Sequence, residues 1–453
     1  MRSSALRLAA LAPLMATLAA CTTLPSDRRP APSPWPSPAP APAPGTLPPV
    51  FTLPPAPAPG PAPTPTPVPL PVPTPPPAPT PALPPLPPAP PPPPAPAPVS
   101  AAEVRDVALR VLPPNLSDRR RWAEDIGTAF AALSIPAQAH KVCALAAVIE
   151  QESTWQADPP VANLSKIAKA ELDKKRERFG IPKAVMDLAL QKTSPDGRTY
   201  QQRLDRLRTE RELSELYEDM IREIPLGAQL AGGQNPVRTG GSTQVSIAFA
   251  ADHMRERPYP WKPAGSAREE VFKRRGGLYF GAAILLDYPV SYNRMLYRFA
   301  DYNAGLYSSR NAAVQSLLVQ LTGQRIDPDG DLLRYKGREP LSPRSDPSQA
   351  WRALLALQAE LGVNAAQIER DLKLEKQFAF EQSVTYRRLY QLADKRGLKP
   401  AREQLPDIDL NSPKITRKLT TAWFADRCEA RYRTCLARDA AAASLPPASD
   451  PRP

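Results

Sequence analysis

From Val142 the chain reads Val-Cys-Ala-Leu-Ala-Ala-Val-Ile-Glu-Gln-Glu-Ser-Thr-Trp to Trp155, and its first eight residues are small or apolar in every direction. A helix without a polar face is buried all round, so this stretch predicts the central helix of the fold. A carboxylate pair stands at its C-terminal end. At about 100° per residue Glu152 shares a face with Leu145, Val148 and Ile149, whereas Glu150 points elsewhere. One acid, not two, can therefore sit over a given site. A carboxyl at the end of a buried apolar helix is partly desolvated, which raises its pKa and lets it keep a proton near neutral pH, as a general acid must. Taken alone, the stretch fits the plainer reading of a solvated Glu-Gln-Glu helix end better.

Around this helix the pattern is amphipathic and helical. Ala101 to Leu133 puts Trp122, Ile126 and Phe130 on one face, and Ser134-Ile-Pro136 reads as a break before the central helix. Asp158-Pro159-Pro160 ends that helix. Leu164–Arg178, Lys183–Gln191 and Gln201–Glu223 follow as three helices, charged outside and Leu, Ile and Met inside, which read as scaffold around a site. Asn235 to Ser246 is a Gly-rich turn opening onto Ile247–Met254, with Gln244 able to donate and accept hydrogen bonds. Arg274-Arg-Gly-Gly-Leu-Tyr-Phe-Gly281 leads into Ala282–Tyr288. Tyr292–Phe299 then ends in Ala300-Asp-Tyr-Asn-Ala-Gly305, where Gly305 alone reads as a helix C-cap. Asn311–Leu321, Gln349–Leu361 and a last helix carrying Cys428 and Cys435 complete a mostly α chain. No alternation is long enough to predict a sheet.

Composition changes the picture at the N-terminus. Of 63 prolines, 37 fall between Pro30 and Pro98, a tract without a single charged residue. Such a segment cannot bury a core; as polyproline II it would span about 3.1 Å per residue. Residues 30–100 therefore read as a linker with reach. Before it, residues 1–20 carry a positive start, an apolar run and small residues, the pattern of an export signal too short to span a membrane. Leu18-Ala-Ala-Cys21 resembles the bacterial lipobox, which implies a lipidated Cys21 at the head of residues 21–29, and Thr22 after it resembles lipoproteins sorted to the outer membrane. Several acyl chains on one residue anchor stably, each buried methylene contributing about 0.8 kcal/mol. The net charge is +13 and the pI near 9.6, which points to an anionic partner. Export makes nucleic acid the wrong one.

Three cysteines remain beyond Cys21. In an oxidising compartment they predict one disulfide and one free thiol. Cys428 and Cys435 lie about 10 Å apart along a straight helix, too far to pair. Cys143 therefore bonds one of the two, with Cys435 the expected partner. With only His140 and His253 present, neither a metal centre nor a cofactor is expected.

Three short motifs recur in a telling order: Glu152-Ser153, then Gly240-Gly-Ser-Thr-Gln244-Val245, then Tyr302-Asn-Ala-Gly305. The set resembles the soluble-lytic-transglycosylase superfamily, whose members carry Glu-Ser on a buried helix, Gly-Leu-Met-Gln-Val on a turn and Ala-Tyr-Asn-Ala-Gly further on. Ala147-Val-Ile-Glu-Gln-Glu-Ser, Arg274-Arg-Gly-Gly-Leu-Tyr-Phe-Gly and Phe299-Ala-Asp-Tyr-Asn-Ala-Gly also resemble a bacterial lipoprotein family with no assigned activity, over roughly 115–437. The resemblance implies a lysozyme-like helical domain over 101–345 with a large helical insertion at 163–236. A helical C-terminal extension over 346–438 and a disordered tail over 439–453 complete the expected organisation.

The same resemblance implies the chemistry. Glu152 becomes the single catalytic acid/base, Tyr302 the tyrosine that orients it, and Ser153, Gln244, Val245 and Asn303 the substrate-binding groups. Glu152 would protonate the oxygen between N-acetylmuramic acid and N-acetylglucosamine in peptidoglycan, then accept the proton of the C6 hydroxyl that closes a 1,6-anhydro ring. Ordinary glycosidases need a second carboxylate; this scheme does not. Ser242-Thr243 stands where the superfamily has Leu-Met, removing apolar wall. Two other readings stay open: a non-catalytic peptidoglycan-binding lipoprotein on the same fold, with Lys414, Arg417 and Lys418 meeting the acidic polymer, and a hydrolase in which Asp301 or Asp252 activates water.

Overall fold

In the computed structural model, residues 98–178, 180–223, 235–263, 265–410 and 418–443 are described. The predicted signal peptide, Cys21, nearly all of the proline tract, and Lys414 and Arg417 lie outside them. Among the described residues helices dominate, and the strands are three antiparallel pairs of two residues each. No described helix is long and apolar enough to cross a membrane.

The first core is assembled around α3 (Ala139–Ser153), with α1 (Ala101–Val111) against it and α2 (Arg119–Ala132) packed on α1. Ser100 caps α1 by accepting from Glu103 N, and Ser134, at a φ of 55°, turns the chain between α2 and α3. Every residue from Val142 to Ile149 is buried, as its all-round apolar sequence requires. The helix stops where Thr154 and Trp155 take left-handed backbone, with φ of 48° and 65°. Trp155 meets Trp122 edge-on with ring centroids 5.2 Å apart, so the turn is held from the α2 side.

Residues 164–222 build a core of their own, with Leu164, Met186, Tyr200, Leu204 and Tyr217 at its centre. Its helices are α4 (Leu164–Arg178), α5 (Lys183–Leu190), α6 (Tyr200–Asp205) and α7 (Glu210–Arg222). The single helix expected over Gln201–Glu223 is two. Thr209 caps α7 from within that run, in a reciprocal capping box with Glu212, and Thr199 and Gln202 start α6 the same way. Local start signals override a continuous amphipathic pattern.

The chain returns to the first core through β1 (Thr239–Gly240) and β2 (Val245–Ser246), paired Gly240 to Val245. Next come α8 (Ile247–Glu256), α9 (Ala267–Val271), α10 (Arg274–Leu286) and α11 (Met295–Ala304). The glycines expected to lead into a helix lie inside it: Gly276, Gly277 and Gly281 are residues of α10. They leave one side of α10 bare, and the β1–β2 turn lies there. A Cβ on Gly281 would stand 2.5 Å from the Thr243 side chain, and one on Gly277 would stand 3.0 Å from Ser242 N. Gly241, at a φ of 75°, lies against Val271 O.

A second core runs from α12 (Ser308–Thr322) through α13 (Gln349–Ala356), α14 (Gln358–Leu361), α15 (Ala365–Leu372) and α16 (Ala379–Gln382) to α17 (Val384–Lys395). Val314, Leu354, Leu372 and Leu389 lie at its centre. The boundary expected at 345/346 therefore falls inside a packed unit, which α12 already opens. The expected extension is divided as well. Its last helix, α18 (Thr421–Ala443), leaves the second core and buries Phe424, Ala425, Cys428 and Cys435 in the first, along α3 and α11. The tail expected to be disordered from Asp439 is still α18 to Ala443, and Asp439 pairs with Arg110 at 3.3 Å.

Candidate functional site

Glu152 lies on the last turn of α3, half-buried. The two acids of the helix end separate as their spacing requires. Glu150 faces Arg431 of α18 at 3.9 Å, while the Glu152 carboxylate acts on two groups from other elements, Tyr302 of α11 and Cys428 of α18. Both are pushed above their usual pKa, first by burial, with the Glu152 charge adding to it. A phenol held this way stays protonated and is a permanent donor. Its acceptor is Thr243 O, 2.6 Å away and 59 residues distant in sequence.

Thr243 is the link between these elements. Its hydroxyl donates to Gly277 O at 2.7 Å while its carbonyl accepts from Tyr302, so α10 and α11 hold the same residue from two directions. Ser242 and Thr243 are both fully buried. The substitution of Leu-Met by Ser-Thr therefore adds no hydroxyl to an open wall; short side chains are what the glycine face of α10 admits. Gln244 follows in left-handed backbone, with φ at 50°, and its Oε1 accepts from Thr239 Oγ1 at 3.3 Å.

The remaining predicted residues are placed as follows. The Ser153 hydroxyl donates to Ile149 O at 2.9 Å, inside its own helix, and Ser153 is buried. Val245 is buried beneath the turn. Asn303 is half-buried, and its Oδ1 accepts from Thr421 at 2.8 Å. Gly305 caps α11 by donating to Asp301 O at 2.7 Å, so the Tyr-Asn-Ala-Gly motif is both a helix end and a neighbour of Glu152. Cys143 and Cys435 form a disulfide, with Cα atoms 5.5 Å apart, and Cys428 is a free buried thiol.

Asp301 and Asp252 do not supply a base beside Glu152. Asp301 is fully buried and accepts from Tyr288, Tyr292, Tyr307 N, Ser308 and Ser309 N; it is the hub of the α11–α12 junction. Asp252 is held by Arg255 and Arg338 at the surface. Lys418, the one described residue of the basic segment singled out above, pairs with Asp409 at 3.4 Å.

Sequence reasoning gave the last helix, which carries Cys428 and Cys435, but missed that it reaches the site. Thr421, Phe424 and Cys428 all come to the site from it: Thr421 on Asn303, Phe424 stacked on Tyr302 at 6.5 Å and nearly parallel, Cys428 beside Glu152. Only the disulfide carried a signal, since pairing Cys143 with Cys435 brings the last helix onto the central one. A cleft of about 870 Å³ lies elsewhere, between the helices of 196–222 and α8–α9, and none of the predicted residues lines it. Its cations are matched by carboxylates, among them Arg203 with Asp219 at 2.6 Å and Arg268 with Glu218 at 3.7 Å. Among the described residues no cluster of His, Cys, Asp and Glu is placed to hold a metal ion.

The chain belongs to the family described as Protein of unknown function (DUF1615), whose model matches residues 115–438. That span holds Glu152, the 240–245 turn, Tyr302 and the part of α18 that reaches them. Among relatives, it is 46% identical over 337 residues to Uncharacterized protein YaiW of Escherichia coli (strain K12), covering 74% of this chain and 90% of the relative. No solved structure matches it.

Proposed function

We propose that the protein is a lytic transglycosylase with a lysozyme-like domain, anchored to the outer membrane through Cys21 and cleaving the MurNAc–GlcNAc bond of peptidoglycan. The observation that carries this reading is convergence. Glu152, the Thr243–Gln244 turn and Tyr302 belong to three elements far apart in sequence, and they are linked by the Tyr302–Thr243 bond and by the Glu152 charge felt at Tyr302. In the reaction Glu152 gives its proton to the leaving glycosidic oxygen as that bond breaks. The carboxylate so formed takes the proton of the muramic C6 hydroxyl, whose oxygen bonds to the anomeric carbon. Water is not consumed, and one acid serves both steps. Tyr302 braces the turn against α11 rather than donating to the acid. Incubating purified peptidoglycan with the native protein and with Glu152→Gln tests this by mass spectrometry. Anhydro-ended products, one water lighter than hydrolysed muropeptides, are expected from the native protein alone. Sacculi left intact at neutral and mildly acidic pH overturn the reading.

A second reading has its own observation. The side-chain groups of Ser153 and Tyr302, and the carbonyl oxygen of Asn303, are all engaged within the fold. A peptidoglycan-binding lipoprotein without activity fits that arrangement, and it predicts intact sacculi with the protein sedimenting on them.

A further inference from the structure

The second core sends one element across to the first. β3 (Tyr335–Lys336) and β4 (Glu339–Pro340) pair Lys336 with Glu339 around Gly337, which turns at a φ of 66°. Residues 336–340 are all exposed. A hairpin this short and this open to water is not stable by itself, so its place is decided by what ties it down. The root is fixed. Leu332 and Leu333 are buried, and the Tyr335 hydroxyl donates to Glu375, itself fully buried in the second core. The tip is held differently. Among the described residues, Arg338 alone of 336–340 has a hydrogen bond or ion pair outside the hairpin, to Asp252 of α8 at 2.5 Å. The two side chains are 66% and 29% exposed, and a pair so open to water holds weakly and is screened by salt.

The two ends stand at opposite flanks of the candidate site. At the tip end, α8 opens at Ile247, three residues past Gln244. At the root end, Lys376 Nζ lies 4.5 Å over the Tyr335 ring and donates to Asp331 at 2.8 Å. It is also 3.6 Å from where a Cβ on Gly305, two residues past Asn303, would stand. The Tyr302–Thr243 bond joins the same two flanks.

We propose that the β3–β4 hairpin is a strap across the Glu152 site, hinged at Tyr335 and latched to α8 by Arg338 on Asp252, which opens to admit a ligand and closes over it. A single exposed ion pair suits that task because it lets go without unfolding either core. Arg255 also holds Asp252, so the carboxylate on α8 keeps a partner when Arg338 leaves. The strap does not depend on which ligand the site takes.

The test uses the full chain without ligand and takes two readings. Trypsin cleavage after Lys336 measures how often the tip is free, with cleavage after Arg325, 95% exposed, as the control for general loosening. Labelling by a water-soluble carbodiimide and an amine, mapped by mass spectrometry, measures access to Glu152, with Glu150 beside Arg431 as its control. In Arg338→Gln and in Asp252→Asn both readings are expected to rise about two- to fivefold while both controls stay level. The double variant is expected to add nothing further, and Arg338→Lys, which keeps the charge, to stay near the native values. Raising NaCl from about 50 to about 500 mM is expected to raise both readings, relative to the controls, in the native protein and in neither single variant. Faster cleavage without faster labelling of Glu152 overturns the placing of the strap over the site. Unchanged cleavage overturns the latch, and controls that rise in step overturn both. Neither reading uses turnover, so the strap and the function proposed above can fail separately.

Discussion

At the residue scale the site depends on what is absent as much as on what is present. Gly277 and Gly281 exist on α10 so that Ser242 and Thr243 can lie against the helix, and Thr243 in turn receives the Tyr302 hydroxyl. Gly281→Ala places a methyl within 2.5 Å of the Thr243 side chain. Overpacking of that kind is expected to cost about 1–3 kcal/mol, read as a lower denaturation midpoint in urea, and to reduce any turnover because the turn moves away from Glu152. Tyr302→Phe leaves the Thr243 carbonyl without its donor. The expected loss is again about 1–3 kcal/mol, and an unchanged midpoint would show that water replaces the bond. The separation of the two carboxylates was legible from sequence, because a two-residue offset on a 100° helix sends Glu150 towards Arg431 and Glu152 towards Tyr302. What Tyr302 does was not legible, since its acceptor is a main-chain carbonyl that no side-chain motif encodes.

At the element scale, periodicity found the helices and missed some of their connections. The apolar run of α3 showed its burial directly. By contrast, the run over Gln201–Glu223 read as one helix because an amphipathic pattern continues across the break; the Thr209–Glu212 capping box decides the matter locally. The place of α18 lies beyond pattern altogether, because its partners are α3 and α11, more than a hundred residues earlier. Its covalent tie to α3 gives a measurable consequence. The Cys143–Cys435 bond closes a loop with a sequence separation of 292, and constraining the unfolded chain over such a loop contributes about 2–5 kcal/mol. The double variant Cys143→Ala, Cys435→Ala is expected to melt at a lower temperature. Cys428, buried on the same helix beside Glu152, is then expected to react with a thiol reagent faster than in the native protein. Equal rates in the two proteins would mean that α18 stays docked without its disulfide.

At the scale of the whole molecule the chain is organised by which helices share a core, not by their order. The second core meets the first through the α11–α12 corner, where Asp301 collects five donors and Arg310 is buried against the rings of Tyr307 and Phe380. Deeper in that core Glu375 anchors the loop before β3 (Tyr335–Lys336), accepting from Leu332 N, Leu333 N and Tyr335. None of this was legible in advance, for an isolated Glu in an amphipathic run reads as solvated surface. Burial pushes the Glu375 carboxyl up to about 7, against the pull of the Tyr335 bond and the nearby Lys376 charge. A carboxyl whose folded pKa lies above its unfolded value keeps its proton in the folded state after the unfolded chain has released its own. Its contribution to stability is therefore complete below about pH 4.5 and is lost as pH rises to about 7, in total about 3 kcal/mol for a shift of that size. Glu375→Gln cannot titrate. The difference in unfolding free energy between native protein and variant is expected to fall by that amount across this window and to be level above it. A difference that stays flat from pH 4 to 8 would mean that the donors around Glu375 hold it ionised throughout, and that its burial is offset by hydrogen bonds rather than by a proton.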